Sequence, residues 1–224
     1  MRIPKQIFIV VALLFTLVAR AQPYTNTANS GAINVAVPDA NPVGISQTLS
    51  FTGTTGFVSN VSVNLNITGG FNGDLYAYLA GPAGQFAVLL NRVGVTSGNP
   101  FGYFNTGFNI TLDNSGANVH NYQSGGYSLN GGGQLTGTWN ADGRNISPLS
   151  SGSVFDAAST ASNLTLFNNT LANGTWTLFL ADLSGGGQST LVSWGLTIVT
   201  VPEPQTWAML AGGATMLLAL RRRR

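Results

Sequence analysis

Residues Val61–Thr68 read VSVNLNIT, in which aliphatic and polar side chains alternate without a break. The aliphatic members are Val61, Val63, Leu65 and Ile67. Side chains of a β-strand point alternately to the two faces of its sheet, so this pattern predicts a strand with one face in a core and the other in water. The glycine-rich segment Gly69–Gly73 that follows predicts a turn.

Five further strands are predicted by the same pattern, and they are joined by glycine-rich turns such as Gly81–Gly84. They cover Asp74–Leu79, Phe86–Leu90, Phe104–Leu112, Thr175–Leu180 and Leu191–Val199. Short strands of this kind predict an all-β domain, a β-sandwich or jelly roll. Trp176 and Trp194 fall on the inward faces of the last two strands, and each would bury about 150–250 Å² as a structural anchor.

The middle of the chain is less regular. Asp113–Gly152 is rich in glycine and poor in aliphatic residues, which predicts a long loop with one or two short strands. Val154–Ser162 predicts a helical turn, with Asp156 near its N-terminus, where a negative charge is favoured.

The N-terminus has the three parts of a secretory signal peptide. Arg2 and Lys5 precede the apolar run Ile7–Val18, and Ala19-Arg20-Ala21 provides a cleavage site between small residues. The sequence therefore predicts a signal peptide over residues 1–21, a mature chain that begins at Gln22, and export across the inner membrane.

The C-terminus also has three parts. Pro202-Glu203-Pro204 is followed by an almost purely apolar run, Thr206–Leu220, and by a block of four arginines. The arginines are Arg221, Arg222, Arg223 and Arg224. The prolines keep the preceding chain out of a helix, and the arginines stay in the cytoplasm, so the tail predicts a membrane stop with a transmembrane segment at 206–220. A helix of this length covers about 22 Å of a hydrocarbon core of about 30 Å, which favours a temporary anchor.

This tail closely resembles the PEP-CTERM sorting signal of exopolysaccharide-producing Gram-negative bacteria. The resemblance covers 201–224 and implies cleavage near Pro202-Glu203-Pro204 by the membrane protease exosortase, after transient anchoring in the inner membrane. It also implies a final location at the outer surface or outside the cell, with exopolysaccharide as a possible partner. An ordinary tail anchor is the alternative.

The remaining body, residues 22–200, is almost uncharged. It carries two arginines against six aspartates, a net charge of −4, so the basic balance of the whole chain belongs to its two ends. Nucleic-acid binding needs clustered lysine and arginine, and the body therefore predicts no nucleic-acid partner. The chain has no cysteine, which excludes disulfides and thiolate chemistry.

The body resembles the P domain of proprotein convertases, a jelly-roll module that follows a subtilisin-like catalytic domain. Four stretches carry the resemblance: Val61–Thr68 with Gly73-Asp74-Leu75, Leu79–Gly84, Asn173–Leu178 and Leu191–Ile198. The resemblance spans Gln47 to Val199 and implies a P-domain-like fold without a protease domain. It also leaves open an accessory role beside a separate subtilisin-like protease.

The residues give little support to catalysis. A serine triad needs a histidine base, and the only histidine, His120, is predicted to be an exposed loop residue. The body has no glutamate, and no spacing singles out two aspartates for glycoside hydrolysis. The sequence therefore predicts that the protein is not an enzyme.

Two kinds of binding site stay open. Asp39, Asp74 and Asp182 are candidate calcium ligands, although the same carboxylates also cap turns, and Asp74 alternatively pairs with Arg92. A sugar-stacking platform near the long loops would consist of Phe101, Tyr103, Phe104, Tyr122 and Tyr127. The leading hypothesis is a non-catalytic protein of the cell surface or exopolysaccharide matrix, and a carbohydrate- or calcium-binding module is the alternative.

Overall fold

Ten strands form two sheets that pack face to face. The computed structural model describes residues 22–202 and Gly213. The strands are β1 (Tyr24–Asn29), β2 (Val35–Val37), β3 (Asn41–Phe51), β4 (Phe57–Gly69), β5 (Leu75–Ala80), β6 (Phe86–Asn91), β7 (Gly107–Asn118), β8 (Leu135–Asn140), β9 (Gly174–Asp182) and β10 (Ser189–Val201). A short α-helix, α1 (Gly152–Ala157), and 3-10 helices at Asn72–Asp74, Val119–Ser124 and Leu164–Phe167 lie in the connections between the strands.

The first sheet has six strands in the order β1-β10-β4-β7-β8, and β2 also pairs with β10. The second sheet has four strands in the order β3-β9-β5-β6. All pairs are antiparallel except β7 with β8. The predicted all-β sandwich is therefore confirmed at the level of two packed sheets.

The core lies between the sheets, where aliphatic and aromatic side chains from both inner faces meet. Val61, Val63, Leu65 and Ile67 of β4 are at most 1% exposed, as the alternation of that strand predicts. Trp176 is fully buried, and its indole N–H donates to the carbonyl of Ala172 at 2.9 Å. Trp194 is 2% exposed, opposite Leu65.

The three strands before β4 have no counterpart among the predicted strands. β1 reads YTNTAN and has no aliphatic face, because it lies at the edge of its sheet and contacts the core with little of its surface. β3 is interrupted between Asn41 and Ile45, where Gly44 takes a φ of 57°. This irregularity keeps Asn41 opposite Asp182 at the end of β9.

The region Asp113–Gly152 contains more structure than the sequence suggests. β7 continues to Asn118, and β8 runs parallel to β7 at the sheet edge. α1 lies where a helical turn is predicted, but Asp156 belongs to its last turn, so the expected N-terminal charge stabilisation is wrong. The Asp156 carboxylate instead accepts the backbone N–H of Ser97 at 3.1 Å.

No helix in the residues described is both long and apolar enough to span a bilayer. The predicted signal peptide, residues 1–21, and the predicted transmembrane segment, residues 206–220, lie outside the described residues.

Candidate functional site

The three candidate metal ligands approach one end of the four-stranded sheet, which we call the acidic corner (Asp39, Asp74 and Asp182). Asp182 is the last residue of β9 and lies opposite Leu75 of β5 and Asn41 of β3. Asp74 directly precedes β5, and Asp39 precedes β3. Asp39 and Asp74 therefore flank Asp182 because all three are located where adjacent strands begin or end.

Asp182 is the most unusual member of the acidic corner. Its side chain is fully buried, and its Oδ2 accepts the hydroxyl of Ser189 at 3.1 Å. Its Oδ1 has no hydrogen-bond partner. Burial raises the pKa of Asp182 to about 6, and the nearby charges of Asp74 and Asp39 add to the effect, while the Ser189 hydroxyl and the backbone N–H of Ser184 oppose it. A desolvated carboxylate beside other carboxylates favours a bound proton or a bound cation.

Asp74 is 8% exposed, and burial also raises the pKa of its carboxyl. The Arg92 guanidinium and the side chain of Ser184 act in the opposite direction. No nitrogen of Arg92 comes within 4.0 Å of the Asp74 carboxylate, and the Arg92 Nε–H donates instead to the carbonyl of Gly73 at 3.1 Å. The carbonyl of Asp74 in turn accepts the N–H of Leu183 at 2.9 Å, which ties β5 to the loop after β9.

Asp39 is exposed and accepts the N–H of Gly186 over a long 3.4 Å contact. Within residues 22–202, no three side chains of the His, Cys, Asp and Glu types lie close enough together to hold a metal ion. A cation at the acidic corner would therefore depend on backbone carbonyls and hydroxyls beside the Asp182 carboxylate.

A second buried charge cluster, the ion network (His120, Asp142 and Arg144), was not expected from the sequence. His120 is 1% exposed, so its prediction as an exposed loop residue is wrong. The 3-10 helix Val119–Ser124 turns the ring inward, where Phe155 stacks on it with ring centroids 5.7 Å apart. Asp142 is fully buried, and Arg144 is 9% exposed.

The hydrogen bonds of the ion network fix its protons. His120 Nδ1 lies 2.7 Å from Asp142 Oδ2, and His120 Nε2 lies 3.0 Å from the carbonyl oxygen of Val95. A carbonyl only accepts, so Nε2 carries a proton, and a second proton lies between Nδ1 and Oδ2. Arg144 Nη1 donates to Asp142 Oδ1 at 3.1 Å, and the N–H of Asn91 donates to Oδ2. This histidine has no free nitrogen with which to activate a nucleophile.

Three rings of the predicted sugar platform pack together, because Tyr103 and Tyr127 both contact Tyr122 edge-on. Tyr122 is fully buried, packs on Tyr103 and Trp139, and donates its hydroxyl to Asn105 Oδ1 at 2.8 Å, so its inclusion in the platform is wrong. Phe101 and Phe104 are 67% and 63% exposed, but Phe104 packs edge-on against Phe71.

The outer face of the six-stranded sheet forms an open groove of about 790 Å³. Its polar lining includes Asn29, Asn64, Asn66, Asn109 and Ser193. Two of these amides are hydrogen-bonded to neighbouring side chains. Asn64 Oδ1 accepts the hydroxyl of Thr111 at 2.8 Å, and Asn66 Oδ1 accepts the side-chain amide N–H of Gln134 at 2.8 Å. The groove is therefore a hydrogen-bonded polar surface.

Comparison with known proteins gives only distant similarity. No protein-family model matches the chain, and a search of curated proteins found no significant match. The solved structures similar to it include the serine protease of Aeromonas sobria, at 16% identity and a TM-score of 0.43, and the complex of that protease with the chaperone ORF2, at 15% identity and a TM-score of 0.42. Each alignment covers 80% of this chain but only 27% of the other chain, and similarity at this level carries no argument about function.

Proposed function

We propose that this protein is a non-catalytic module that is exported, anchored briefly by its tail, cut by exosortase and delivered to the cell surface or exopolysaccharide matrix. The ends of the sandwich support the proposal. β1 begins at Tyr24, just after the signal-peptide cut that the sequence predicts, and β10 ends at Val201, just before Pro202-Glu203-Pro204. Removal of both ends would therefore leave every strand intact.

β1 and β10 also pair with each other, with Tyr24 opposite Thr200. Both proposed cleavage points consequently lie next to the same end of one strand pair. A protease that cuts at Pro202-Glu203-Pro204 would not have to open the sheet, because the last residue of β10 precedes the motif.

We further propose that the sandwich is a P-domain-like jelly roll. The four stretches that carry the resemblance fall on β4 with the start of β5, on the turn Gly81–Gly84, on β9 and on β10. The turn is closed by a hydrogen bond from the N–H of Gly84 to the carbonyl of Gly81 at 3.1 Å. An accessory role beside a separate protease remains a prediction from this resemblance.

Calcium binding at the acidic corner is the second candidate function. The unpaired Oδ1 of the buried Asp182 favours it, because a hard cation would satisfy that oxygen and offset the charges of Asp74 and Asp39.

Mass spectrometry of the protein from its host tests the main proposal. We expect a mature chain that begins at Gln22 and ends near Pro202-Glu203-Pro204. In a host that lacks exosortase, the same protein should retain the tail. A mature chain from the normal host that still carries Leu220 and the four terminal arginines would contradict the proposal.

A further inference from the structure

Four aromatic rings form a strip on the solvent face of the four-stranded sheet, which we call the aromatic strip (Tyr76, Tyr78, Phe86 and Phe179). Their neighbours along β5, Leu75, Ala77 and Leu79, are fully buried. Because alternate residues of a strand face opposite sides, the strip points away from the core. All four rings are half-buried, since they cover one another in part.

The rings pack across three adjacent strands. Tyr78 of β5 lies opposite Phe179 of β9, and the two rings stack with centroids 4.8 Å apart and planes 15° from parallel. Phe86 of β6 meets Tyr78 edge-on at 5.8 Å, and Tyr76 meets Phe179 at 6.3 Å. The strip is thus an interlocked apolar cluster, because each ring is held by its neighbours before any ligand arrives, and the rings present a mixture of edges and partly covered faces to solvent.

Sheet formation alone does not require these rings. The outer face of the six-stranded sheet uses Asn64, Asn66, Thr111 and similar polar residues in equivalent positions. Cross-strand aromatic pairs stabilise a sheet by about 0.2–1 kcal/mol each, but contiguous apolar surface toward water commonly marks a binding site.

The lack of charge on the solvent face of the four-stranded sheet limits the class of ligand that can bind there. Within β3, β5, β6 and β9 the only ionisable acid or base other than tyrosine is Asp182, and that side chain is fully buried. Beside the rings, β3 and β9 present a row of hydroxyls to solvent. The row consists of Ser46, Thr48, Ser50, Thr175 and Thr177. An uncharged face of rings and hydroxyls does not attract nucleic acid or anionic lipid.

We propose that the aromatic strip binds a neutral polysaccharide. A pyranose ring has a face of C–H groups that packs against the apolar edges and partly exposed faces of the ring cluster, and its hydroxyl rim is matched by the hydroxyl row. A sheet face is open at both ends, so a polymer passes across it and is bound along its length. The inference rests on the proposed location in an exopolysaccharide matrix for its setting, whereas the binding itself is measured independently.

Affinity electrophoresis of the mature protein tests the proposal, with soluble neutral β-glucan or the acidic polyuronate alginate in the gel. We expect retardation by the β-glucan and none by alginate. Tyr78→Ala and Phe179→Ala should each weaken β-glucan binding by about tenfold, since each removes a central ring of the aromatic strip. Tyr78→Phe, which keeps the ring, should bind like the wild type.

Tyr24→Ala is the matched control, because it removes a ring that is 54% exposed on β1, in the other sheet, and should leave binding unchanged. Thermal unfolding establishes that each variant is folded. The proposal is overturned if the wild type is not retarded, or if Tyr24→Ala weakens binding as much as Phe179→Ala. Self-association that Phe179→Ala abolishes, without any glucan binding, would instead identify the strip as a contact between copies of the chain. Terminal mass analysis of the same preparation reports separately on exosortase processing, so the two proposals fail independently.

Discussion

Asp142 and Asp182 are both fully buried, yet they occupy opposite electrostatic environments. Asp142 receives hydrogen bonds from His120, Arg144 and the backbone of Asn91. Asp182 accepts the hydroxyl of Ser189, lies within reach of the backbone N–H of Ser184, and is near two further carboxylates. A buried charge with complete partners is part of the scaffold, whereas a buried charge with missing partners is a place where a proton or cation is favoured.

The largest expected effect on stability comes from removing the carboxylate of Asp142, which has hydrogen-bond partners. Asp142→Asn should lower the free energy of unfolding by about 3–5 kcal/mol, because the buried Arg144 loses its counter-charge and the buried His120 ring loses its carboxylate partner. Chemical denaturation at neutral pH measures the loss. Asp113→Asn, at a half-buried position on the outer face, is the control and should cost far less. A loss of similar size in both variants would contradict the idea that Asp142 stabilises the fold through its buried partners.

The second-largest expected effect is a pH dependence of stability that comes from Asp182. The pKa of Asp182 is raised from 3.8 to about 6, so the folded state binds a proton more tightly than the unfolded chain. Its contribution to stability is therefore fully present below pH 3.8 and is lost as the pH rises through 6. We expect the free energy of unfolding to contain a contribution of about 2–3 kcal/mol that appears as the pH falls through this window.

Asp182→Asn should remove that contribution and raise stability at pH 7.5, because the amide carries no charge. Denaturation curves across this pH range measure both effects. If Asp182→Asn and the wild type lose stability in parallel as the pH rises, Asp182 is not the group that titrates.

The smallest effect is the response to calcium. If the acidic corner binds this ion, calcium at about ten times its dissociation constant should stabilise the wild type by about 1.4 kcal/mol at pH 7.5. Asp182→Asn should abolish the response, and Asp156→Asn, on the exposed helix α1, should retain it. Thermal unfolding with calcium or a chelator measures this difference. A response that persists in Asp182→Asn would place the ion elsewhere.

Strand periodicity predicts the inner part of the fold well. β4, β5, β7, β9 and β10 were recognisable because one face of each carries aliphatic or aromatic residues at every second position, and β6 because it is a short continuous apolar run. β1 was missed because an edge strand that buries little surface has no need for that pattern. β3 does direct Ile45, Leu49 and Phe51 toward the core, but the polar Gln47 interrupts the apolar alternation. β8 was difficult for a similar reason, since only Leu135 and Trp139 of its six residues are buried.

The residues of the acidic corner were predictable from the sequence, but the burial of Asp182 was not. Aspartate beside turn residues indicated Asp39, Asp74 and Asp182, whereas burial of Asp182 depends on the strands that flank β9. The ion network had no local sequence signal, because His120 and Asp142 are separated by 22 positions and meet only after β8 has paired with β7. Composition likewise drew attention to Phe101 and Tyr122, while the aromatic strip requires the register of β5, β6 and β9.

β10 has neighbours on both edges: β4 along its length, and β1 and β2 on the other side. Tension applied at Val201 would therefore load two rows of hydrogen bonds in shear instead of peeling an outer strand away one bond at a time. The sandwich therefore ends in a strand that is paired on both edges, which would suit the proposed temporary anchoring by that end.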